Sequence, residues 1–279
     1  MADRSRIEWT DATWNPMTGC SHASPGCARC FAERLSLRHG WSARPWLPAH
    51  AAENLRWHPD RLALPLRWRR PRRIFVNSMS DLFHEAAPDA WRDAVFGIIA
   101  ACAAQGRGHV FQALTKRADG MAAYFAAGSG ALLPRWRAAA APALAELGLA
   151  LPDAAWAALP WPLPNLWLGV SVENARWARG RLPALLATPA AVRFVSCEPL
   201  LGPVDLTPWL RRLDWVIVGG ESGPKARPMD PAWARALRDQ CLAVGVPFFL
   251  KQLGGPRPGG EAALDGEIWR QWPEDAAPL

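Results

Sequence analysis

The chain has 279 residues, half of them hydrophobic and 20% of them charged, and its formal net charge is +7. These values exclude an intrinsically disordered protein, because the apolar content suffices for a core and no long block of like charge occurs. No run of about 18 apolar residues is present and the N-terminus lacks the apolar centre of a secretory signal, so we expect a cytoplasmic protein without membrane contact. The positive charge favours polyanionic partners such as nucleic acid.

Five arginines are concentrated in one segment, residues 67–73, where they are interleaved with Trp68. Such a segment can supply phosphate contacts to DNA or RNA. A solvated basic connection in front of a strand would have the same sequence. The sequence is compatible with both interpretations for Arg67, Arg69, Arg70, Arg72 and Arg73.

Short runs rich in β-branched and aromatic residues alternate with helical patterns along the chain. The clearest helical patterns cover residues 91–105 and 231–244; Asp230 caps the second helix and Gly245 closes it. This alternation predicts an α/β fold with parallel strands and crossover helices. The predicted strands are residues 73–77, 109–114, 166–172, 192–196, 215–219 and 247–250.

Residues 126–164 have a different composition, dominated by Ala, Leu, Trp and Pro. We interpret them as short helical pieces punctuated by prolines. They would form an insertion on the outside or the rim of one domain that spans residues 1–279.

Polar residues follow each of the six predicted strands. One polar turn would carry little information, because loops are normally polar. Six of them indicate a ligand site, since parallel α/β proteins place their active sites at the carboxyl ends of the strands. The substrate-binding candidates are Asn77, Ser78, Asp81, Lys116, Arg117, Glu198, Lys251 and Gln252.

A pair of glycines and a carboxylate follow the fifth predicted strand. The glycines would let a ligand approach the backbone, and Glu221 could accept a hydrogen bond from a cofactor amino group or ribose. A glycine turn with a solvated carboxylate is the alternative. Together with the polar end of the third predicted strand, the cofactor-binding candidates are Ser171, Glu173, Asn174, Gly219, Gly220 and Glu221.

Three of the six cysteines, Cys20, Cys27 and Cys30, are spaced C-x6-C-x2-C. In a reducing compartment such a cluster indicates metal or redox chemistry, and thiolates suit iron–sulfur clusters or zinc. Zinc would need a fourth ligand, for which His22 and His39 are the nearby candidates, although neither completes a familiar zinc-finger spacing. A four-iron cluster on three cysteines would leave one iron open to a cofactor. The spacing alone leaves iron–sulfur, zinc and unliganded thiols open.

Several long motifs extend the pattern over nearly the whole chain. They are TWNPMTGC, SPGCARCFAE, RRIFVNSMSDLFHE, FQALTKR, LWLGVSVEN, RFVSCEPLLGPV, WVIVGGESGPKARPM and FFLKQLGG. Together they resemble the phage-associated three-cysteine-motif family of unknown function, which is similar to radical S-adenosylmethionine (SAM) enzymes.

This resemblance implies a partial, TIM-like (β/α) barrel and a [4Fe–4S] cluster on Cys20, Cys27 and Cys30. It further implies SAM on the open iron, an electron donor, and a 5′-deoxyadenosyl radical that abstracts hydrogen from a substrate. The first cysteine gap is six residues here, where the usual radical-SAM gap is three, and the aromatic Phe31 follows the last cysteine instead of preceding it.

The leading hypothesis is therefore a radical-SAM-like enzyme whose substrate is unknown, with modification or repair of nucleic acid as one candidate reaction. The alternative is a zinc-containing nucleic-acid-binding protein without catalysis. A third hypothesis is a hydrolase that holds a divalent metal through Asp81, Glu198 and Glu221.

Overall fold

One parallel β-sheet of seven strands forms the centre of the chain. The structure is a computed structural model that describes residues 5–256 and 262–273. The strands are β1 (Ala12–Trp14), β2 (Arg73–Val76), β3 (Val110–Thr115), β4 (Leu166–Ser171), β5 (Val192–Cys197), β6 (Trp215–Gly219) and β7 (Phe248–Gln252).

Each strand pairs in parallel with the strand that precedes it in the sheet, so the spatial order is the chain order from β1 to β7. Parallel neighbours require crossover connections, and helices supply most of them. The sheet curls into an open half-barrel with β1 and β7 at its edges, and helices surround it. The predicted mixed α/β class is confirmed at this level.

The described residues form nine α-helices, and two of these, α4 and α6, pack closely on each other outside the sheet. None of the helices within the described ranges is long and apolar enough to cross a membrane. The helices are α1 (Phe31–Arg38), α2 (Ala51–Asn54), α3 (Leu64–Arg67), α4 (Asp89–Ala104), α5 (Ala118–Phe125), α6 (Gly128–Glu146), α7 (Asp153–Ala157), α8 (Ala175–Ala187) and α9 (Pro231–Val244).

Within the described ranges, two short antiparallel strand pairs lie outside the main sheet. Met17–Thr18 pairs with Arg56–Trp57, and Ala263–Leu264 pairs with Glu267–Ile268.

The six predicted strands correspond to β2–β7, with ends that differ by at most two residues. The predicted caps of α9 are also confirmed: Asp230 accepts a hydrogen bond from the backbone N–H of Ala232 over 2.8 Å, and Gly245 is left-handed with φ of 74°. Strand β1 was not predicted. Its three residues are too few to show a period, and pairing with Ile74–Val76 of β2 fixes them as a strand.

The predicted breaks at Pro134 and Pro142 are wrong, because α6 runs through both prolines. Its buried residues Leu132, Trp136, Ala140 and Leu144 recur every four positions and form one apolar face. Packing of that face against α4 outweighs the local preference of proline to end a helix.

Alternate residues of each strand face two different environments, as the two-residue period of a strand requires. On β2, Ile74 and Val76 pack in the large apolar core that includes the helices, whereas Phe75 packs in a second, smaller cluster. Because the helices surround the curled sheet, the second cluster marks its inner face.

The inner face is aromatic in its amino-terminal half. Trp9 enters from the segment before β1 and packs at 4.7 Å between ring centroids against Phe75. This aromatic plug consists of Trp9, Phe75, Trp167, Phe194, Trp215 and Phe249.

Further along the same face the side chains become small or polar. The alternation that places Trp167 and Phe194 inside also places Ser171 and Ser196 inside, near the carboxyl ends of β4 and β5. The sheet therefore has a closed apolar end and a polar end, and the polar end is where the sequence predicts the ligand site.

We expect two helical glycines to respond in opposite directions to replacement by alanine. A Cβ at Gly97 of α4 would lie 2.2 Å from the carbonyl oxygen of Trp136, so Gly97→Ala should lower the free energy of unfolding by about 1–3 kcal/mol. Gly180 of α8 has open space around it, and Gly180→Ala should raise that free energy by about 1 kcal/mol. Denaturant unfolding of both variants measures the difference, and equal effects would contradict the close α4–α6 packing.

Candidate active site

The cysteine loop, residues 20–30, begins beside the turn that follows β2. Gly19 donates its backbone N–H to the carbonyl oxygen of Met79 over 3.0 Å. Only glycine fits here, because φ is +87° and a Cβ would lie 1.9 Å from the carbonyl oxygen of Asn54. The loop is thus held against the carboxyl end of the sheet from its first residue.

The three thiols of this loop are free and close enough to affect one another electrostatically. Burial raises the pKa of Cys20 to about 12; Asp81, Cys30 and Cys27 add to the rise, and Arg117 opposes it. Burial also raises the pKa of Cys30. Among the residues that the structure describes, no three His, Cys, Asp or Glu side chains are arranged to hold a single metal ion.

Hydrogen-bond donors approach two of the three sulfurs. The backbone N–H of Ala23 donates to Cys27 Sγ over 3.4 Å, and Nη1 of Arg117 donates to Cys20 Sγ over 3.6 Å. Cys30 occupies the N-cap position of α1, where its side chain makes no capping hydrogen bond. The donors to Cys20 and Cys27 stabilise the thiolate form that binds metals.

Asp81 follows β2 and connects this strand by hydrogen bonds to the end of β3 and the loop after it. Its Oδ1 accepts from Thr115 Oγ1 over 2.7 Å and from the N–H of Phe83 over 3.1 Å. Its Oδ2 accepts from the N–H of Lys116 over 3.0 Å and from Arg117 Nη1 over 3.2 Å. Burial alone would raise the pKa of Asp81, but Arg117 and the other donors hold it below its usual range.

Arg117 carries this network into the cysteine loop. Its Nη2 donates to the carbonyl oxygen of Ser21 over 3.0 Å and to Ser21 Oγ over 3.1 Å, while Nε donates to Glu85. The sequence presents Asp81 and Arg117 as substrate-binding candidates. In the structure they form a buried hydrogen-bond network that connects the sheet to Cys20.

Glu173 forms a second connection between the sheet and the cysteine loop, on the other side of the loop. It is fully buried; Ser24 Oγ donates to its Oε1, and Arg181 Nη1 donates to its Oε2 over 2.9 Å. Gly26 packs so closely on Glu173 that a Cβ there would lie 2.5 Å from Oε1. Glu173 is one of the predicted cofactor-binding residues, and its carboxylate contacts Ser24 and Gly26, which lie between Cys20 and Cys27.

Two polar pairs occupy the carboxyl end of the inner face. Lys116 Nζ donates to Ser171 Oγ over 3.1 Å, which joins the ends of β3 and β4. Lys251 Nζ lies 2.9 Å from Glu198 Oε1, and Gly219 leaves the space that Glu198 fills. All four polar side chains come from the sets predicted for substrate and cofactor, and the fold brings them to one face.

Glu221 is engaged by two arginines. Arg227 donates to it through the backbone N–H over 2.9 Å and through the guanidinium, and Arg29 Nη1 lies 3.3 Å from Oε2. Although burial alone would raise the pKa of Glu221, Arg227 and Arg29 lower it. Since Arg29 stands between Cys27 and Cys30, Glu221 also binds the cysteine loop.

The remaining predicted residues have local roles. Asn174 Oδ1 caps α8, Ser78 bonds with Asn15, and Gln252 Nε2 donates to the carbonyl oxygen of Gly220 over 2.8 Å. Gly220 itself is required by close packing, because a Cβ there would lie 2.4 Å from the carbonyl oxygen of Leu253.

Asn77 is different from these residues. It is left-handed with φ of 59°, and both polar atoms of its buried side chain have no hydrogen-bond partner within the described residues.

The arginine segment lies at the opposite, amino-terminal end of the sheet, because it leads into the start of β2. Arg73 is bonded to Asp11 and lies 3.9 Å from the ring centroid of Trp272, and Arg67 pairs with Glu146 over 2.9 Å. Arg72 lies partly buried over Trp68, whereas Arg69 and Arg70 are exposed.

The side chains named in the two alternative hypotheses are engaged in other contacts. His22 lies 2.7 Å from Glu33, and His39 stacks on Trp41. Each carboxylate of the hydrolase hypothesis forms an ion pair with a different basic side chain: Asp81 with Arg117, Glu198 with Lys251 and Glu221 with Arg227.

Sequence reasoning missed Arg181, the buried partner of Glu173. A signal was present, because Arg181 occupies a core position in the helical pattern Ala178, Leu182 and Leu185 of α8. A charged residue within an apolar helix face indicates a buried partner. Arg29 and Arg227, both loop residues, had no such signal.

Comparison with known proteins gives one match. A family model described as a protein of unknown function (DUF5131) matches residues 4–273. No curated protein and no solved structure matches the chain. The matched range includes the cysteine loop and all seven strands.

We expect Asp81→Asn to lower the free energy of unfolding by about 3 kcal/mol at neutral pH, because the buried Arg117 loses its buried acidic partner and keeps only its contact with the exposed Glu85. Since the folded-state pKa of Asp81 is below the unfolded value of about 3.9, its stabilisation is present above that pH and is lost as the pH falls through the folded-state value. Denaturant unfolding at about pH 7 and about pH 3 should therefore show the variant's deficit shrinking in acid.

The exposed Asp239→Asn is the matched control and should change stability by less than about 0.5 kcal/mol. A deficit of the same size for both variants would contradict the role of the buried pair.

Proposed function

The chain belongs to the DUF5131 family of proteins of unknown function, and we propose that it is an iron–sulfur enzyme of the radical SAM type. Cys20, Cys27 and Cys30 would bind a [4Fe–4S] cluster whose fourth iron binds SAM. The observation that carries this proposal is the meeting of three free thiols, two of them with hydrogen-bond donors, at the polar, carboxyl end of a half-barrel.

The residues present fit such a cluster. In a [4Fe–4S] cluster each thiolate binds a different iron, so the proposal does not require three ligands around one ion. Hydrogen bonds to the sulfurs are among the means by which proteins tune these clusters, and the sulfurs of Cys20 and Cys27 each have a donor here. When bound, the cluster supplies the electron for reductive cleavage of SAM.

The polar inner face would bind the cofactor and the substrate beside the cluster. Lys116 can donate to a carboxylate, and its Nζ already lies at Ser171 Oγ on the next strand. Glu198 and Lys251 offer one acceptor and one donor of opposite charge, which suits the charged amino and carboxylate groups of an amino-acid moiety. The aromatic plug closes the other half of the face and excludes water from it.

The zinc-containing, nucleic-acid-binding alternative has less support. The arginine segment lies at the amino end of the sheet, and three of its members are already in contact with Glu146, Trp68 or Asp11. A nucleic acid bound there would be remote from the cysteine loop.

We expect anaerobic reconstitution to give about four irons per chain and no tightly held zinc. The triple variant Cys20→Ala, Cys27→Ala, Cys30→Ala should lose the iron, because it removes every proposed ligand. Cys102→Ala and Cys241→Ala are the matched controls; both thiols are buried, in α4 and α9, and each variant should keep the iron. Metal analysis with electron paramagnetic resonance (EPR) measures these results, and retention of iron by the triple variant would refute the proposed ligands.

Addition of SAM to the reduced protein should change the EPR spectrum and yield 5′-deoxyadenosine. A four-iron protein whose spectrum and product analysis show no response to SAM would be an iron–sulfur protein of another type.

A further inference from the structure

Exposed apolar side chains are concentrated next to the cysteine loop. Of the eight large hydrophobic side chains that the described residues leave exposed, five lie between residues 31 and 47. They are Phe31, Leu35, Leu37, Trp41 and Leu47. Clustered exposure of this kind marks an interaction surface.

Helix α1 organises the part of this surface that is closest to the thiols. It begins directly after Cys30, and its positions 31, 34, 35 and 38 lie on one side, because residues three and four apart are neighbours on a helix. All four side chains are exposed, while Ala32 and Ser36 are buried on the opposite side. We call Phe31, Arg34, Leu35 and Arg38 the α1 face.

The α1 face is apolar at its centre and positively charged beside it. The acidic residue of α1, Glu33, is turned away: it accepts from the backbone N–H of Trp46 over 2.7 Å and lies 2.7 Å from His22. Arg34 and Arg38 therefore determine the charge of the face, and the chain as a whole carries +7. Charge complementarity then requires an acidic partner.

The apolar residues of the surface distinguish a protein from a nucleic acid. Three of the five exposed side chains are leucines, which cannot stack on bases as aromatic rings do. Aliphatic side chains with charged neighbours instead resemble the small surfaces of transient electron-transfer complexes, which bury less than about 1,200 Å².

We propose that the α1 face is the docking site of a small acidic electron-donor protein. The inference rests on the proposed function, since it is the cluster on Cys20, Cys27 and Cys30 that would receive the electron. One electron leaves the reduced donor and one electron reduces the cluster, so that no bond forms or breaks. Because Phe31 directly follows Cys30, a donor that binds the α1 face would lie next to the cysteine loop.

The test uses photoreduced flavodoxin, a small acidic flavoprotein, mixed anaerobically with the reconstituted full-length chain. Arg34→Glu with Arg38→Glu should slow cluster reduction by about tenfold or more at low salt, because the positive charges of the α1 face steer the acidic donor toward it. The matched control, Arg69→Glu with Arg70→Glu, makes the same charge change at the other end of the sheet and should leave the rate within about twofold. Dithionite, a small reductant, should reduce the cluster equally in every variant.

Phe31→Ser tests the apolar centre without a charge change and should also slow reduction by flavodoxin. Binding of oxidised flavodoxin to the cluster-free chain, measured by titration calorimetry, gives a readout that does not need iron. Binding that weakens with salt and in the Arg34/Arg38 variant supports the docking site even if the cluster hypothesis fails. Conversely, a four-iron protein without this pattern leaves the proposed function intact and refutes the docking site.

Other occupants of the α1 face give different outcomes, each of which would overturn the proposal. Loss of single-stranded RNA or DNA binding in the Arg34/Arg38 variant, with donor reduction unchanged, would assign the face to nucleic acid. A dimer that Phe31→Ser converts to a monomer would assign it to a second copy of the chain.

Discussion

The buried ion pair of Asp81 and Arg117 fixes the cysteine loop to the sheet. Both side chains are more than nine-tenths buried, and such a pair stabilises a fold only when its remaining hydrogen-bonding groups find partners. Four donors satisfy Asp81, and Arg117 bonds onward to Ser21 and Cys20. Because β2 and β3 are paired in parallel register, the residues that follow them meet at the carboxyl end of the sheet, and the cysteine loop is attached there.

The two halves of the inner face of the half-barrel have different roles along each strand. Its amino half is filled by aromatic rings, which leaves the carboxyl half as the place where polar side chains can meet a ligand. Glu198 and Lys251 form an ion pair there, and because both side chains are partly buried their charge interaction is stronger than it would be in bulk solvent. Glu173 and Glu221 lie beside that region and bind the cysteine loop through Ser24 and Arg29.

The net charge of the chain is distributed among regions with different roles. Arg73 and Arg67 contribute to packing and ion pairs at the amino end of the sheet, whereas Arg117 and Arg181 are buried near the thiols. Arg34 and Arg38 remain on the surface beside Cys30. A sum of charges over the sequence could not distinguish these positions, since it carries no geometry.

The sequence by itself determined six of the seven strands, the caps of α9, and the gathering of polar residues at the carboxyl end, because strand and cap signals are local. It also determined the family, through motifs that cover nearly the whole chain. Only the tertiary structure decided that β1 joins the sheet, that α6 continues through two prolines, and that Asp81, Glu173 and Glu221 hold the cysteine loop. These outcomes depend on partners far apart in sequence, such as Glu173 with Ser24 and Asp81 with Arg117, and no local pattern specifies which distant side chain will occupy a given space.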